Sequence, residues 1–374
     1  MGSSLGGLYV GLMSGTSLDA VDAVVFDVSE DGHGRVLGGE SLPLQTSLRE
    51  ELLALNTPGH DELARAALAS QRLAELYATA VDNVLTSCAV SAADVRAIGA
   101  HGQTVRHRPE LGYTIQLNAP ALLAERCGID VVSDFRSRDI AAGGQGAPLV
   151  PAFHAAQFQA SHTRVVLNLG GIANITILDQ DAHISGFDTG PANMLMDAWV
   201  LRTKGLSFDA DGAWAASGQA NEALLAHMLA DSWFRRQPPK STGRDDFNMQ
   251  WLVEKLTDVF GTDPELWPAA QDIQATLLQL TARSVAAAIR EYAAGVQEVL
   301  VCGGGSRNGA LMAALAQHLQ CHVAPTDNYG LPSQWVEAAA FAWLAWCHDN
   351  RVPAGLPDVT GARQPRVLGC KYPA

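Results

Sequence analysis

Apolar and polar residues alternate, with β-branched side chains among them, from Leu8 to Met13 and again from Val21 to Val28. This period of two predicts a pair of strands joined through Ser14-Gly15-Thr16-Ser17. A third strand is expected around Val36 to Leu44, giving a sheet led by a hairpin. From Asp61 to Leu85 the period lengthens. Leu63, Ala67, Leu73, Leu76, Tyr77, Val81 and Leu85 recur mostly at spacings of three and four, the stripe of a long amphipathic helix that packs on the sheet. Short strands at Val95 to Ala100 and Ile129 to Ser133 and a helix near Ala147 to Phe158 complete this region.

The pattern then restarts. Arg164 to Leu169 and Ile172 to Leu178 form a second apolar pair broken by Gly170-Gly171, followed by a glycine turn and helical segments at Asn193 to Leu201, Glu222 to Trp233 and Ile273 to Tyr292. Glu298 to Cys302 reads as a strand running into Gly303-Gly304-Gly305, with a helix from Asn308 to Leu319 behind it. A last helix is expected from Gln334 to Cys347. Two halves, each opening on a glycine-interrupted hairpin, predict an α/β protein of two domains, residues 1–160 and 161–374. The C-terminal helix is a candidate addition to the first. A length of 374 residues agrees, at ~150 residues per domain.

Composition narrows the classes. Hydrophobic residues at 48% and charged residues at 17% exclude a disordered chain. With 25 Lys and Arg against 39 Asp and Glu, the net charge of −14 repels phosphate backbones and anionic membranes, and no local basic patch in the sequence overrides it. Neither nucleic acid nor membrane is an expected partner. Six cysteines contain no Cys-x-x-Cys pair, so free thiols of a reducing cytoplasm are expected. The apolar N-terminus carries no Lys or Arg before Arg35, which lacks the positive segment of a secretory signal. The 35 glycines exceed the usual ~7% and cluster beside strands, where backbone approaches a ligand.

Four of these turns are chemical candidates. In Gly15-Thr16-Ser17-Leu18-Asp19-Ala20-Val21-Asp22, backbone N–H groups and two hydroxyls suit phosphate oxygens, and Asp19 and Asp22 suit Mg²⁺; a plain β-turn is the alternative. Asn168-Leu-Gly170-Gly171-Ile-Ala-Asn174 and Cys302-Gly303-Gly304-Gly305-Ser-Arg-Asn308 are matching glycine turns, the latter expected at a helix N-terminus. Neither a dinucleotide fingerprint nor a P-loop is present: Gly303, Gly305 and Gly309 are spaced one residue too far, and no lysine follows Gly-x-x-x-x-Gly. Asp188, in Phe187-Asp-Thr-Gly-Pro191, stands at an expected turn before a helix. It is equally a helix cap or a general base, with no Lys or Arg close by in sequence. His101-Gly-Gln103-Thr104, Asp134-Phe-Arg136, Gly143 to Pro148 and Pro239 to Arg244 are further polar clusters; His101 and His107 match no metal spacing.

In this order, Gly11 to Asp19, His101 to Thr104, Gly143 to Val150, Asn168 to Asn174, Phe187 to Pro191, Pro238 to Arg244 and Cys302 to Asn308 resemble the anhydro-N-acetylmuramic acid kinase family. The resemblance implies the actin, hexokinase and heat-shock-chaperone fold: two ribonuclease-H-like domains with ATP in an interdomain cleft. It implies ATP and Mg²⁺ as cofactors, a small sugar as the other partner, and leaves a homodimer open. Water would open the 1,6-anhydro bridge at C1 while O6 takes the γ-phosphoryl group of ATP, a step of cell-wall sugar recycling. Carried onto this sequence, Gly15 to Asp22 would hold ATP phosphates, Asn168, Gly170 and Gly171 a second phosphate hairpin, and Gly303 to Ser306 the adenosine side. Asp188 would activate the water, Gln103, Thr104 and Arg136 would hold the sugar and its carboxylate, and Glu337 would support the water or Mg²⁺. Ala20 and Ala192 stand where glycine is expected, and Ser333-Gln334-Trp335 where more acidic residues are. A conventional sugar kinase of the same fold and a non-enzymatic nucleotide switch are the competing readings.

Overall fold

The opening alternation becomes a hairpin. Strand β1 (Gly7–Ser14) pairs antiparallel with β2 (Ala20–Val28), from Gly7 opposite Val28 to Ser14 opposite Val21. β3 (Gly34–Pro43) continues the meander on β2. On the other side of β1 lie β4 (Val95–Ala100) and then β7 (Val131–Ser133), both parallel to their inner neighbour. β5 (Gln103–Arg108) and β6 (Tyr113–Leu117) form a separate hairpin. The computed structural model describes residues 5–15 and 18–374.

The alternation of β1 sorts two helices onto opposite faces of this sheet. Val10 and Leu12 join a core with Leu73, Tyr77 and Val81 of the Glu62–Ser87 helix, whose buried positions recur every three or four residues. Gly11 lies between them and faces the Val336–Asp349 helix. A Cβ on Gly11 would overlap the carbonyl oxygen of Ala338, and one on Gly99 of β4 that of Phe341. The absent side chains let helix backbone lie directly on strand backbone, and Ala338, Ala342 and Ala345 are buried there. The last strand, β13 (Cys370–Tyr372), pairs antiparallel with β7, and the Lys371 ammonium bridges Asp130 (3.1 Å) and Asp349 (2.8 Å).

The expected second domain therefore ends too late. Residues after Tyr329 pack on the first sheet, and the chain divides into Met1–Gln157 with Gly330–Ala374, and Phe158–Tyr329. The cause is the pair of glycine gaps on β1 and β4, which only the late helix fills.

In the second unit, β8 (Arg164–Leu169), β9 (Ile172–Leu178) and β10 (Ile184–Pro191) form an antiparallel meander. β11 (Glu298–Cys302) adds parallel to β8, and β12 (His322–Pro325) parallel to β11. The order β10-β9-β8-β11-β12 repeats the β3-β2-β1-β4-β7 of the first unit, which is the duplicated ribonuclease-H-like arrangement. Its core gathers Val165, Leu167, Trp199, Leu252, Ile273, Leu277 and Val301. The helix expected over Glu222–Trp233 stops at Leu229, because Asp231 accepts from the Trp233 N–H and starts a new turn. No helix among the described residues is long and apolar enough to cross a membrane.

Candidate active site

Asp188 is not at a turn. It lies within β10, opposite Asn174 of β9, at the point where a bulge shifts the register before Gly190. The helix that follows starts at Asn193 with Ala192 as its cap, and Ala192 supplies no side-chain bond, so Asp188 is not the cap. At this bulge Gly190 takes a φ of +139°, a conformation L side chains rarely adopt, and a Cβ there would press on the Phe234 ring, so glycine suits the position on both counts. Asp188 accepts one hydrogen bond, from the Thr242 N–H to Oδ2 (2.9 Å), while its own N–H donates to the Lys240 carbonyl (3.1 Å). Burial pushes its carboxyl up to about 6, only partly offset by the Thr242 N–H. A carboxylate near that value is ionised at neutral pH and still basic enough to take a proton.

The two glycine turns of this unit meet. Ala192 N–H and Asn193 N–H donate to the carbonyls of Gly171 (2.9 Å) and Gly170 (3.1 Å), and Asn193 Nδ2 donates to Leu169 O (2.9 Å). Gly303 has a φ of +80°, and a Cβ there would collide with Asn168 Oδ1 and Leu169; one on Gly305 would strike Leu169. Gly170, Gly171 and Gly304 differ. None carries a positive φ, and a Cβ on any of them would meet nothing of the protein nearer than 3.6 Å. The glycines do not open a helix as expected. Gly304–Arg307 is a short 3₁₀ turn, and the helix begins at Gly309, capped by Asn308 Oδ1 on the Leu311 N–H (3.0 Å).

In the first unit, Thr16 and Ser17 of the expected phosphate loop lie outside the described residues. What flanks them is pinned: Leu18 is 1% exposed with a φ of +57°, a left-handed conformation costly for a branched side chain, and its N–H donates to Gly15 O (3.2 Å). Val21 is buried in the core behind this turn. Ala20 opens β2 opposite Pro43, and neither Ala20 nor Ala192 carries a positive φ, so neither position calls for glycine on the ground of a left-handed backbone.

The two acids of the loop separate. Asp19 is largely exposed, with Arg49 3.8 Å away. Asp22, three residues on, lies within the sheet opposite Met13 and Ser41, and burial raises its carboxyl pKa against the lowering effect of the Ser41 hydroxyl. Glu337, in the first turn of the Val336–Asp349 helix, is raised by burial and then by Asp22, with the Arg136 guanidinium opposing. Among the described residues no three His, Cys, Asp or Glu side chains converge as a metal cage. Mg²⁺ is usually held by one or two carboxylates with substrate phosphates. Asp22 and Glu337, two carboxylates that repel each other in a partly desolvated setting, fit that cation; exposed Asp19 does not share their place.

The sugar candidates form a polar cluster on the same unit. Arg136 donates from Nε (3.1 Å) and Nη2 (2.9 Å) to His101 Nε2, and from Nη1 to Gly146 O (2.8 Å). Burial lowers Arg136 to about 10 and holds the His101 imidazole well below its usual range, so His101 is neutral and accepts through Nε2. Buried polar atoms normally find partners. Here His101 Nδ1, Gln103 Oε1 and Asn118 Oδ1 are buried without a hydrogen bond. Asn118 follows β6 and Gln103 opens β5, so the unpredicted hairpin sets them side by side. Asn118 Nδ2 donates to Ser133 Oγ (3.0 Å), which donates to Ala100 O (3.0 Å). Thr104 accepts from Gln116 Nε2 (3.1 Å). Asn118 and Ser133 belong to no motif of the sequence; Thr242 lies in the polar cluster of Pro239 to Arg244 and Asn193 just after the turn of Asp188.

A ribonuclease-H-like sheet order repeated in two units, with an isolated basic carboxylate in one of them, defines a two-unit α/β protein with the makings of an enzyme. Residues 7–374 match the family model described as anhydro-N-acetylmuramic acid kinase. A protein of that description from Bordetella parapertussis is 59% identical over 371 residues, covering 99% of this chain and 97% of its own length. One from Pseudomonas paraeruginosa is 50% identical, covering 98% and 99%. Among solved structures, the activator of the 2-hydroxyisocaproyl-CoA dehydratase from Clostridium difficile with bound ADPNP is similar at 12% identity and a TM-score of 0.47, covering 92% of this chain and 96% of that one. The chain belongs to the anhydro-N-acetylmuramic acid kinase family.

Proposed function

We propose that this chain opens 1,6-anhydro-N-acetylmuramic acid with water and phosphorylates its O6 at the expense of ATP, giving N-acetylmuramic acid 6-phosphate and ADP. Family membership over nearly the whole chain supports the reaction. The single observation that supports the mechanism is Asp188: an acid raised to about 6, with one amide partner. Asp188 takes a proton from water as the water oxygen bonds to C1. The C1–O6 bond breaks, O6 bonds to the γ-phosphorus, and ADP departs; the proton remains on Asp188 until it is lost to solvent. General-base help of this kind is typically worth ~10²- to 10⁴-fold.

The remaining residues bind and orient. Gly15 to Asp22, with Asn168, Gly170 and Gly171, are assigned to the ATP phosphates, and Gly303, Gly304 and Gly305 to the adenosine side. Gln103 and Arg136, joined by Asn118, are assigned to the sugar, where the unpartnered Gln103 Oε1 and Asn118 Oδ1 supply acceptors for its hydroxyls or amide. Thr104 stands beside them, already bonded to Gln116. Bound Mg²⁺ would neutralise phosphate charge, and Asp22 with Glu337 would hold it. The reading places the protein in the cytoplasm, in peptidoglycan recycling, acting on small molecules alone, with a homodimer as the assembly to test by sedimentation.

A single turnover in ¹⁸O-water tests the chemistry. The label is expected on the C1 hydroxyl and absent from the transferred phosphoryl group. Label in the phosphoryl group overturns the mechanism. Turnover confined to sugars without the anhydro bridge, with no label at C1 beyond slow anomeric exchange, establishes a conventional kinase instead.

A further inference from the structure

A cavity of about 520 Å³ in the second unit belongs to none of the roles above. Thr189, the bulged residue next to Asp188 on β10, lines this cavity. Leu229, Phe234, Ala288 and Tyr292 give it apolar walls, and Arg235, Lys240, Arg283 and Arg290 give it four cations against the one carboxylate of Glu291. Arg283 is committed to Glu222 through two bonds of 2.6 and 2.9 Å, with its Nε left buried and unpartnered. Arg235, Lys240 and Arg290 take part in no ion pair among the described residues; their hydrogen bonds go to the carbonyls of Ala230, Phe234 and His318, and the Lys240 ammonium also stands 4.7 Å from the centroid of the Trp233 ring. In a chain of net charge −14, three unpaired cations around one apolar hollow are an attractor for an anion. We propose that this cavity binds a small organic anion, a phosphate or carboxylate head on an apolar ring-shaped body, and that its occupancy alters turnover at Asp188. The route is short. Lys240, which lines the cavity, accepts the Asp188 N–H at its carbonyl, and two residues later Thr242 N–H holds the Asp188 carboxylate.

The site stands independently of the proposed reaction; the effect on turnover rests on that reading. Titration calorimetry of the full chain, with an ATP analogue saturating the nucleotide site, tests the binding using phenyl phosphate, benzoate, inorganic phosphate and benzyl alcohol as probes. Phenyl phosphate or benzoate is expected to bind one per chain, inorganic phosphate at least tenfold more weakly, and neutral benzyl alcohol not at all. The double variant R235Q/R290Q should lose at least tenfold in affinity, while Arg290→Lys stays within about threefold of the parent. Affinity unchanged in R235Q/R290Q overturns the site, and equal affinity for inorganic and phenyl phosphate overturns the apolar body. Phenyl phosphate should change kcat at least twofold in the parent chain and not in R235Q/R290Q. Binding without any change in kcat overturns the link to Asp188, whereas a chain inactive without any probe indicts the proposed function and leaves the binding result standing.

Discussion

Two glycines of the first unit and three of the second are glycine for different reasons. Gly11 and Gly99 in the first unit are fixed by the protein itself, because the Val336–Asp349 helix occupies the space a side chain would need. Gly170, Gly171 and Gly304 in the second unit face room enough for a methyl and hold ordinary backbone angles, so nothing in the folded chain demands them. The same division runs through the charged groups. In the first unit Arg136 is tied to His101 and Gly146, whereas Asp188 in the second is left with one amide and the cost of its burial. Residues the fold does not require are where an external molecule supplies the requirement.

Replacing Asp188 tests the second class most severely. Asp188→Asn should lower kcat by ~10²- to 10⁴-fold with ATP-analogue affinity and circular dichroism unchanged; activity within a few-fold of the parent would return Asp188 to a structural role. Gly11→Ala tests the first class. The added methyl strikes helix backbone, which cannot rotate away, so a loss of about 3 kcal/mol is expected in urea unfolding, the upper end of overpacking costs. A variant as stable as the parent would show that the helix lies off the strand. Gly304→Ala and Gly170→Ala should leave that unfolding curve within about 1 kcal/mol and instead weaken ATP-analogue binding roughly tenfold, about 1.4 kcal/mol. Loss of stability in place of affinity would merge the two classes.

The smallest effect is one of pH. With Asp188 as base, kcat should fall as pH drops through about 6, by tenfold per unit below it. Stability runs the other way. A carboxyl raised by burial costs the folded state when it ionises, a cost absent below the ordinary value of ~3.9 and complete above about 6. Asp188→Asn should therefore melt higher than the parent at pH 8, the gap closing towards pH 4. A gap that widens on acidification would reverse the assigned shift.

Much of the frame was legible because one face of each element is buried. β1, β2, β4, β8, β9 and β11 alternate or run apolar, and the Glu62–Ser87 helix keeps a clean stripe. The β5–β6 hairpin was not, because its buried face offers only Val105 and Leu117 as apolar residues beside the polar Gln103, too few to set a period. Gly186, Gly190 and Pro191 made the end of β10 look like a turn, when they mark a bulge inside a strand. Asp188 and the cluster of Thr242 could each be read; their pairing could not, since it runs through a backbone N–H 54 residues away, which any non-proline residue supplies. Asp19 and Asp22 looked like one site because three residues are close along a chain. They part because Asp19 lies in the bend before β2 and faces solvent, whereas Asp22 lies within the strand and is partly buried.

Where the Val336–Asp349 helix sits has a consequence for how the chain comes off the ribosome. Phe158–Tyr329 is one uninterrupted stretch and can close its own core as soon as it has emerged. Met1–Gln157 is made before it yet cannot finish, because the backbone groove over Gly11 and Gly99 is filled by the Val336–Asp349 helix, which is synthesised after both. Of the two units, the one that is started earlier is thus completed later, and a stop codon anywhere before Val336 leaves the groove over Gly11 and Gly99 uncovered.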